Sequence, residues 1–251
     1  MLEANRHKHT KLEAELYAAY AEYFDASPLS TSVKLQAFAK YARRQDLSRF
    51  LAKNELFKAQ LDVPGVIVEC GCHYGQGLLT FSQLSSIYEP FNHTRRVIGF
   101  DTFAGFPSVS PKDQNVETAW QVTDLKTHQN IVDELGKAIE LHDMNRPVGH
   151  IAKATLVEGD AIETIPSFVA ANPHIVVSML YLDFDIYEPT KVAIEQLVPR
   201  IPKGGILAFD ELNAGNCPGE TLALLETLGI SNVELRKTPF DPYITYARMG
   251  A

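Results

Sequence analysis

The sequence predicts an α/β protein: a Rossmann-like mixed sheet, mostly parallel and closed by a C-terminal antiparallel hairpin, with helices ahead of it. Three observations carry that prediction. Short β-rich runs alternate with helical ones from Val66 onward, and such alternation calls for right-handed crossovers and a parallel sheet. The polar residues collect where the β-rich runs end, the edge at which open α/β sheets bind ligands. The last two β-rich runs follow one another across Pro239 to Pro242 with no helix between them, so they pair antiparallel.

Taken in order, residues 1–61 read as helical. Leu12, Leu16, Tyr17, Tyr20 and Phe24 recur at spacings of three and four, as do Leu35, Phe38 and Tyr41, and then Leu47, Phe50, Leu51, Leu56 and Leu61. Pro64-Gly65 marks the change of pattern. Strands are then expected at 66–71, 95–101, 154–160, 176–185 and 204–211. Helices fall between and after them at 77–87, 125–142, 161–171, 189–201 and 219–228, and the closing pair lies within 233–250. The expected organisation is a helical extension, 1–61, that covers substrate or serves self-association, followed by one catalytic domain, 62–251. The 251 residues suit one to two domains at roughly 150 residues each.

Composition narrows the function. Hydrophobic residues at 45% and charged residues at 22% exclude a disordered or collagenous chain. Lys plus Arg number 23 against 31 Asp plus Glu, a net charge of −8, so no nucleic-acid partner is expected. Cys70, Cys72 and Cys217 are an odd and sparse set, which points to a reducing compartment and no disulfide framework. The best apolar stretch, 175–182, contains Ser178 and is far short of the ~20 residues a spanning helix needs. No membrane association is expected, and with no apolar leader at the N-terminus the expected location is cytoplasmic.

Several constellations carry chemistry. After the first strand, ECGCHYGQG places Gly71, Gly75 and Gly77 in a turn that opens a helix. The spacing is not the dinucleotide GxGxxG, and Glu69 would repel a pyrophosphate. It suits a cationic ligand, and S-adenosylmethionine carries both a sulfonium and an amino group. Asp101 ends the second strand, where a carboxylate can accept from two ribose hydroxyls; nicotinamide cofactors share that ribose. Gly159-Asp160 follows the third strand and either flanks an adenine or caps a helix. Asp183 and Asp185 end the fourth strand, and in continuing strand geometry they point to one face. With Asp210 and Glu211 from the fifth, they form a carboxylate set suited to a hard divalent ion such as Mg²⁺; plain surface exposure of some of them is the alternative. Cys70 and Cys72 read as packing residues. His73, His128, His142 and His150 form no metal-ligand pattern and read as loop or surface groups, one of which could line a pocket.

ECGCHYGQG, FDTFAGFP (100–107), LDFDIYEPT (182–190) and PRIPKGGILAFDE (199–211) resemble, in order and spacing, the macrocin O-methyltransferase family of S-adenosylmethionine-dependent sugar methyltransferases. The resemblance covers about 65–215. It implies a class I methyltransferase fold, S-adenosylmethionine as cofactor, and Mg²⁺ or another divalent cation holding an acceptor diol. By position it implies Glu69, Gly71 and Gly75 at the methionine end and Asp101 at the ribose. Gly77, Thr102, Gly159, Asp160 and Asp183 complete the cofactor set. Asp183, Asp210 and Glu211 would hold the metal, and Asp185 would be the general base. This chain departs from the family's pattern at Gln76-Gly77, at Glu211 in place of an aspartate, and after Gly159. The expected partners are a small-molecule or glycan substrate and a second copy of the chain in a homo-oligomer. A nicotinamide-dependent oxidoreductase and a non-catalytic ligand-binding member of the same fold are the competing readings.

Overall fold

Seven strands form one sheet: β1 (Val66–Cys70), β2 (Val97–Asp101), β3 (Ala154–Glu158), β4 (Val177–Leu182), β5 (Ile206–Phe209), β6 (Leu235–Lys237) and β7 (Thr245–Arg248). Their order is β3-β2-β1-β4-β5-β7-β6. The first five run parallel, and β7 pairs antiparallel with both β5 and β6. The mixed architecture expected from the alternation of runs is therefore the one observed. This computed structural model describes residues 10–116 and 119–250.

Strands β1, β4 and β5 are buried at every position. Parallel strands covered on both faces read as continuous apolar runs for this reason. On one face Val68, Phe100, Leu180 and Phe209 share a core with Ala161 and Ile165 of α6 (Ala161–Ala171), Ile194 and Leu197 of α7 (Tyr187–Leu197), and Leu224 of α8 (Pro218–Thr227). On the other, Ile67, Met179, Tyr181 and Ala208 pack with Ala52, Leu56 and Phe57 of α3 (Arg44–Ala59) and with Leu78, Phe81 and Leu84 of α4 (Gln76–Tyr88). Helix α5 spans Ile131–Met144.

Two compact units meet at Leu51/Ala52, inside α3. The boundary precedes the 61/62 change of pattern because the second half of α3 is built into the sheet's core. In the first unit, α1 (Lys11–Ala26) starts at a capping box between Thr10 and Glu13, and α2 (Thr31–Gln36) is capped by Ser30. Tyr41 packs against Tyr23 and Phe24, with ring centroids at 5.6 and 5.2 Å. Helix α1 has no buried residue. Residues 1–9 of the expected helical section lie outside the described residues. Among the described residues no helix is long and apolar enough to cross a membrane.

Among the boundaries that differ from expectation, three have clear local reasons. The fourth strand stops at Leu182: Asp183 N–H still donates to Cys70 O at 2.8 Å, but Asp185 has φ +61° and the chain turns. The helix expected from 125 starts at Ile131, because Leu125 has φ +61° and Thr127 Oγ1 donates to Phe103 O at 2.7 Å. The fifth strand starts two residues into Gly204-Gly205-Ile206, since Gly204 has φ +88°.

The ends of β1 and β4 approach so closely that Gly71, with φ +90°, leaves no room for a side chain: a Cβ there would sit 1.9 Å from Asp183 O. Gly71→Ala is expected to cost about 2–3 kcal/mol of stability, through left-handed strain and forced separation of the two strand ends. Urea denaturation measures this, and an unchanged midpoint would show that the two turns are not locked together.

Candidate active site

The site lies at the carboxyl ends of β1, β2, β4 and β5. Asp101, the last residue of β2, is held by the loop after β1: Oδ2 accepts from Cys72 N–H at 2.8 Å and His73 N–H at 2.7 Å, and Oδ1 accepts from Phe103 N–H at 2.6 Å. One carboxylate thus ties the glycine loop to the loop after β2. Thr102 Oγ1 donates to Gly105 O at 2.6 Å and closes the turn of FDTFAGFP. Gly159 N–H donates to Asp101 O at 2.9 Å. Asp160 is the N-cap of α6, with Oδ1 accepting from Ile162 N–H at 3.0 Å.

Glu69 and Gly77 are structurally one feature. A Cβ on Gly77 would meet Glu69 Oε1 at 1.6 Å and Lys53 Cε at 3.0 Å, so the missing side chain makes the space in which Glu69 lies against the first turn of α4. Glu69 is 1% exposed, and its Oε2 has no hydrogen-bond partner. Burial pushes its carboxyl up to about 8, with the Lys53 ammonium pulling in the opposite direction. Lys53, a residue no motif singled out, is 1% exposed. It donates to the Tyr181 hydroxyl at 3.0 Å, and that hydroxyl donates to Asp210 Oδ1. Glu69 pairs in register with Tyr181, and Tyr181 with Ala208. Side chains two residues apart share a face, so Glu69, Tyr181 and Asp210 form a polar tier above the α3/α4 core.

The other acids gather beside this tier. Asp183 is half-buried, while Asp185, Asp210 and Glu211 are buried. They do not lie along a continuing strand; the turn through Asp185 fans them out. Oxygens of Asp185 and Glu211 and the sulfur of Cys217 lie within 4.8 Å of one another, the one metal-capable grouping of His, Cys, Asp and Glu among the described residues. The Cys217 thiol donates to Asp185 Oδ1 at 3.5 Å. A fifth carboxylate, Glu220 of α8, is fully buried and accepts from Glu211 N–H through Oε2 at 3.2 Å. Burial, reinforced by the charges of Asp183, Asp185, Asp210 and Glu211, holds its carboxyl well above the usual range. The sequence offered no sign of this role, since an acid in the first turn of a helix is ordinary. Cys70 and Cys72 are buried thiols raised well above the ordinary value, in keeping with a packing role.

The loop after β2 encloses this edge. Phe106 and Trp120 meet edge-on at 5.3 Å in a cluster with Ile186, Ala214 and Cys217. Trp120 Nε1 donates to Asn216 O at 3.2 Å, and Asp113 Oδ1 accepts from Tyr187 N–H at 2.6 Å. Residues 117 and 118 of this loop lie outside the described residues. His73, with φ +47°, is half-buried, and burial lowers its pKa against the opposing charges of Asp101 and Asp185. Of the four histidines weighed in the sequence, it is the one within the glycine loop and the one that feels the charges of Asp101 and Asp185.

Two outcomes follow from the Glu69 tier. An acid raised from 4.5 to about 8 on folding takes up a proton as the chain folds. Its contribution is complete below the unfolded value and lost as pH rises through about 8. The unfolding free energy of the wild type, minus that of Glu69→Gln, is therefore expected to fall between about pH 5 and pH 8; a flat difference would mean that Glu69 stays ionised. Lys53→Met is expected to cost about 3 kcal/mol by chemical denaturation, the size of effect seen when one member of a buried charged set is removed. A change within 0.5 kcal/mol, roughly that of a surface substitution, would show that Lys53 does not hold the tier.

Comparison with known proteins accords with this geometry. A family profile described as Macrocin-O-methyltransferase (TylF) matches residues 41–225, while no curated protein sequence matches the chain. The crystal structure of CalS11, a calicheamicin methyltransferase, is 36% identical. It matches over 97% of this chain and 95% of its own, with a TM-score of 0.92. An apo structure of CalS11, described as a TDP-rhamnose 3'-O-methyltransferase of calicheamicin biosynthesis, is 34% identical over 97% of this chain and 96% of its own, with a TM-score of 0.84. The O-methyltransferase NovP, at 19% identity, a TM-score of 0.62 and coverage of 80% and 79%, shares the fold. The match sets aside the nicotinamide reading: the chain belongs to the macrocin O-methyltransferase family and is an S-adenosylmethionine-dependent O-methyltransferase.

Proposed function

We propose that this enzyme methylates a hydroxyl of a sugar, a deoxysugar carried by a nucleotide or a natural product, or the end of a polysaccharide, with help from a divalent cation, Mg²⁺ or a close equivalent. The observation that carries the reading is the meeting of Asp185 and Glu211, whose oxygens lie within 4.8 Å of one another, with Glu220, which accepts from Glu211 N–H and whose Oε1 is buried with no hydrogen-bond partner. Buried carboxylates this close together call for a cation, and carboxylate oxygens suit a hard one. CalS11, described as acting on TDP-rhamnose, supports a sugar acceptor. Asp183, Asp210 and Glu211 would hold the ion, and since Glu211 also belongs to the grouping with Asp185 and Cys217, the proposed base would lie beside the same ion. When bound, it would lower the pKa of the acceptor hydroxyl and orient it.

The cofactor end has its own signature. S-adenosylmethionine supplies a methyl group on a sulfonium, and its amino group is a cation that suits the partnerless Oε2 of Glu69. Gly71, Gly75 and Gly77 keep the loop backbone close to that end, and Asp101, beside Thr102, sets the loop's position. Gly159 and Asp160 border the same edge. Asp185 is the base: it lies buried on the acidic side, fixed by the turn at φ +61° and by the Cys217 thiol, and takes the acceptor's proton as the methyl transfers. The rest of the catalysis is alignment of oxygen, methyl and sulfur. The exposed apolar residues of α1 and α2, such as Leu12, Leu16 and Leu35, support self-association through the first unit, which light scattering measures directly.

Asp185→Asn is expected to lower turnover by about 10²-fold or more with calorimetric S-adenosylmethionine affinity unchanged. EDTA is expected to abolish turnover and Mg²⁺ to restore it. Normal turnover by Asp185→Asn rejects the base assignment, and activity untouched by EDTA rejects the cation. A panel of nucleotide sugars and glycosides, analysed by mass spectrometry for a 14 Da gain, about one methylene, tests the acceptor class.

A further inference from the structure

The geometry points to Glu220 as a fifth carboxylate of the cation centre, fixing the main chain at Glu211 with one oxygen and facing the cation with the other. This rests on the cation reading above and extends it to a residue outside both the DFD and the DE motifs.

Helix α8 opens at Pro218, and three contacts seat its first turn against the acids. Glu211 N–H donates to Glu220 Oε2 at 3.2 Å, Asn213 N–H donates to Thr221 Oγ1 at 2.8 Å, and the Cys217 thiol donates to Asp185 Oδ1 at 3.5 Å. Gly219 lets the turn come this close, because a Cβ there would lie 2.5 Å from Tyr187 N and 2.7 Å from Asp113 Oδ1. Glu220 therefore stands where the loops after β4 and β5 meet. It has no exposed surface, and Oε1 has no hydrogen-bond partner.

The contact to Glu211 does not explain a carboxylate at this position. A glutamine would accept the same N–H and fill the same volume without burying an acid among four others. Leaving a carboxylate oxygen buried and unpartnered is costly, and the metal-free chain carries that cost. A divalent cation held by the neighbouring acids would offset it, either by direct ligation or through one of the waters that Mg²⁺ retains.

The test uses the full chain with Mn²⁺ as the probe ion, counting free Mn²⁺ by electron paramagnetic resonance and following urea denaturation of the metal-free protein. Glu220→Gln is expected to weaken Mn²⁺ binding by roughly 10- to 100-fold while the metal-free protein is as stable as the wild type or more so. Glu220→Asp, which keeps the charge but shortens its reach, is expected to fall between the two in affinity. A purely structural glutamate would leave Mn²⁺ affinity unchanged in the glutamine variant, and that result overturns the proposal while leaving the cation reading intact. Loss of stability or failure to fold in metal-free Glu220→Gln also overturns it, since the charge would then be stabilising without metal. Absence of Mn²⁺ binding by the wild type removes the cation reading and this inference together.

Discussion

The active edge is organised by the cost of taking carboxylates out of water. The parallel sheet must be covered on both faces, so acids at the ends of its central strands are wholly or partly buried with it. Each is accommodated differently. Asp101 collects three backbone N–H groups. Asp210 takes the Tyr181 hydroxyl, itself held by the Lys53 ammonium. Glu69 has that same ammonium nearby and is raised to about 8, and Glu220 leans on the Glu211 main chain. Three backbone donors hold Asp101 in place. Glu69 and Glu220 instead retain oxygens without partners, so these two have most to gain from bound cationic groups.

The glycines serve that arrangement. In this fold a glycine-rich turn after β1 is commonly read as room for a cofactor, yet here the first atoms to fill the space belong to the protein. Gly71 admits the Asp183 carbonyl, Gly77 admits Glu69, and Gly219 admits the turn before α7 and the Asp113 carboxylate. Each missing side chain brings an acid-bearing segment closer to its neighbours. The loop's shape near a ligand is a consequence of that packing, with Asp101 as the fastener.

How far this was legible in the sequence depended on whether a feature is local. Strand positions were readable because a strand buried on both faces leaves an unbroken apolar run, and the acids at 183, 185, 210 and 211 were readable because they sit next to those runs. The turn at Asp185 was not, since its φ of +61° has no glycine or asparagine to announce it and its side chain meets the Cys217 thiol from 32 residues away. Lys53 and Glu220 were invisible for a related reason. A lysine in an amphipathic helix reads as a solvated side chain, and a glutamate in a first turn reads as dipole compensation. Tyr181 reads as a core aromatic within β4, and its hydroxyl acquires a role only when β5 brings Asp210 beside it.

The two ends of the site are physically continuous, and this bears on how catalysis is organised. In the proposed reading Glu69 belongs to the cofactor end and Asp210 to the cation end, and the Lys53–Tyr181 pair stands beside both. A single buried ammonium serves two carboxylates, so what compensates one alters the field at the other in a medium where charges are weakly screened. In-line methyl transfer depends on holding an oxygen, a carbon and a sulfur in one geometry. A site whose halves share a rigid, fully buried counter-charge has fewer independent adjustments to make, because the cofactor loop and the acid cluster are referenced to the same two side chains. The first half of α3 lies in the other unit, and the second half supplies Lys53 together with Leu56 and Phe57 of the core. The catalytic edge thus extends one element ahead of the sheet, to a helix that periodicity alone assigns to the N-terminal section.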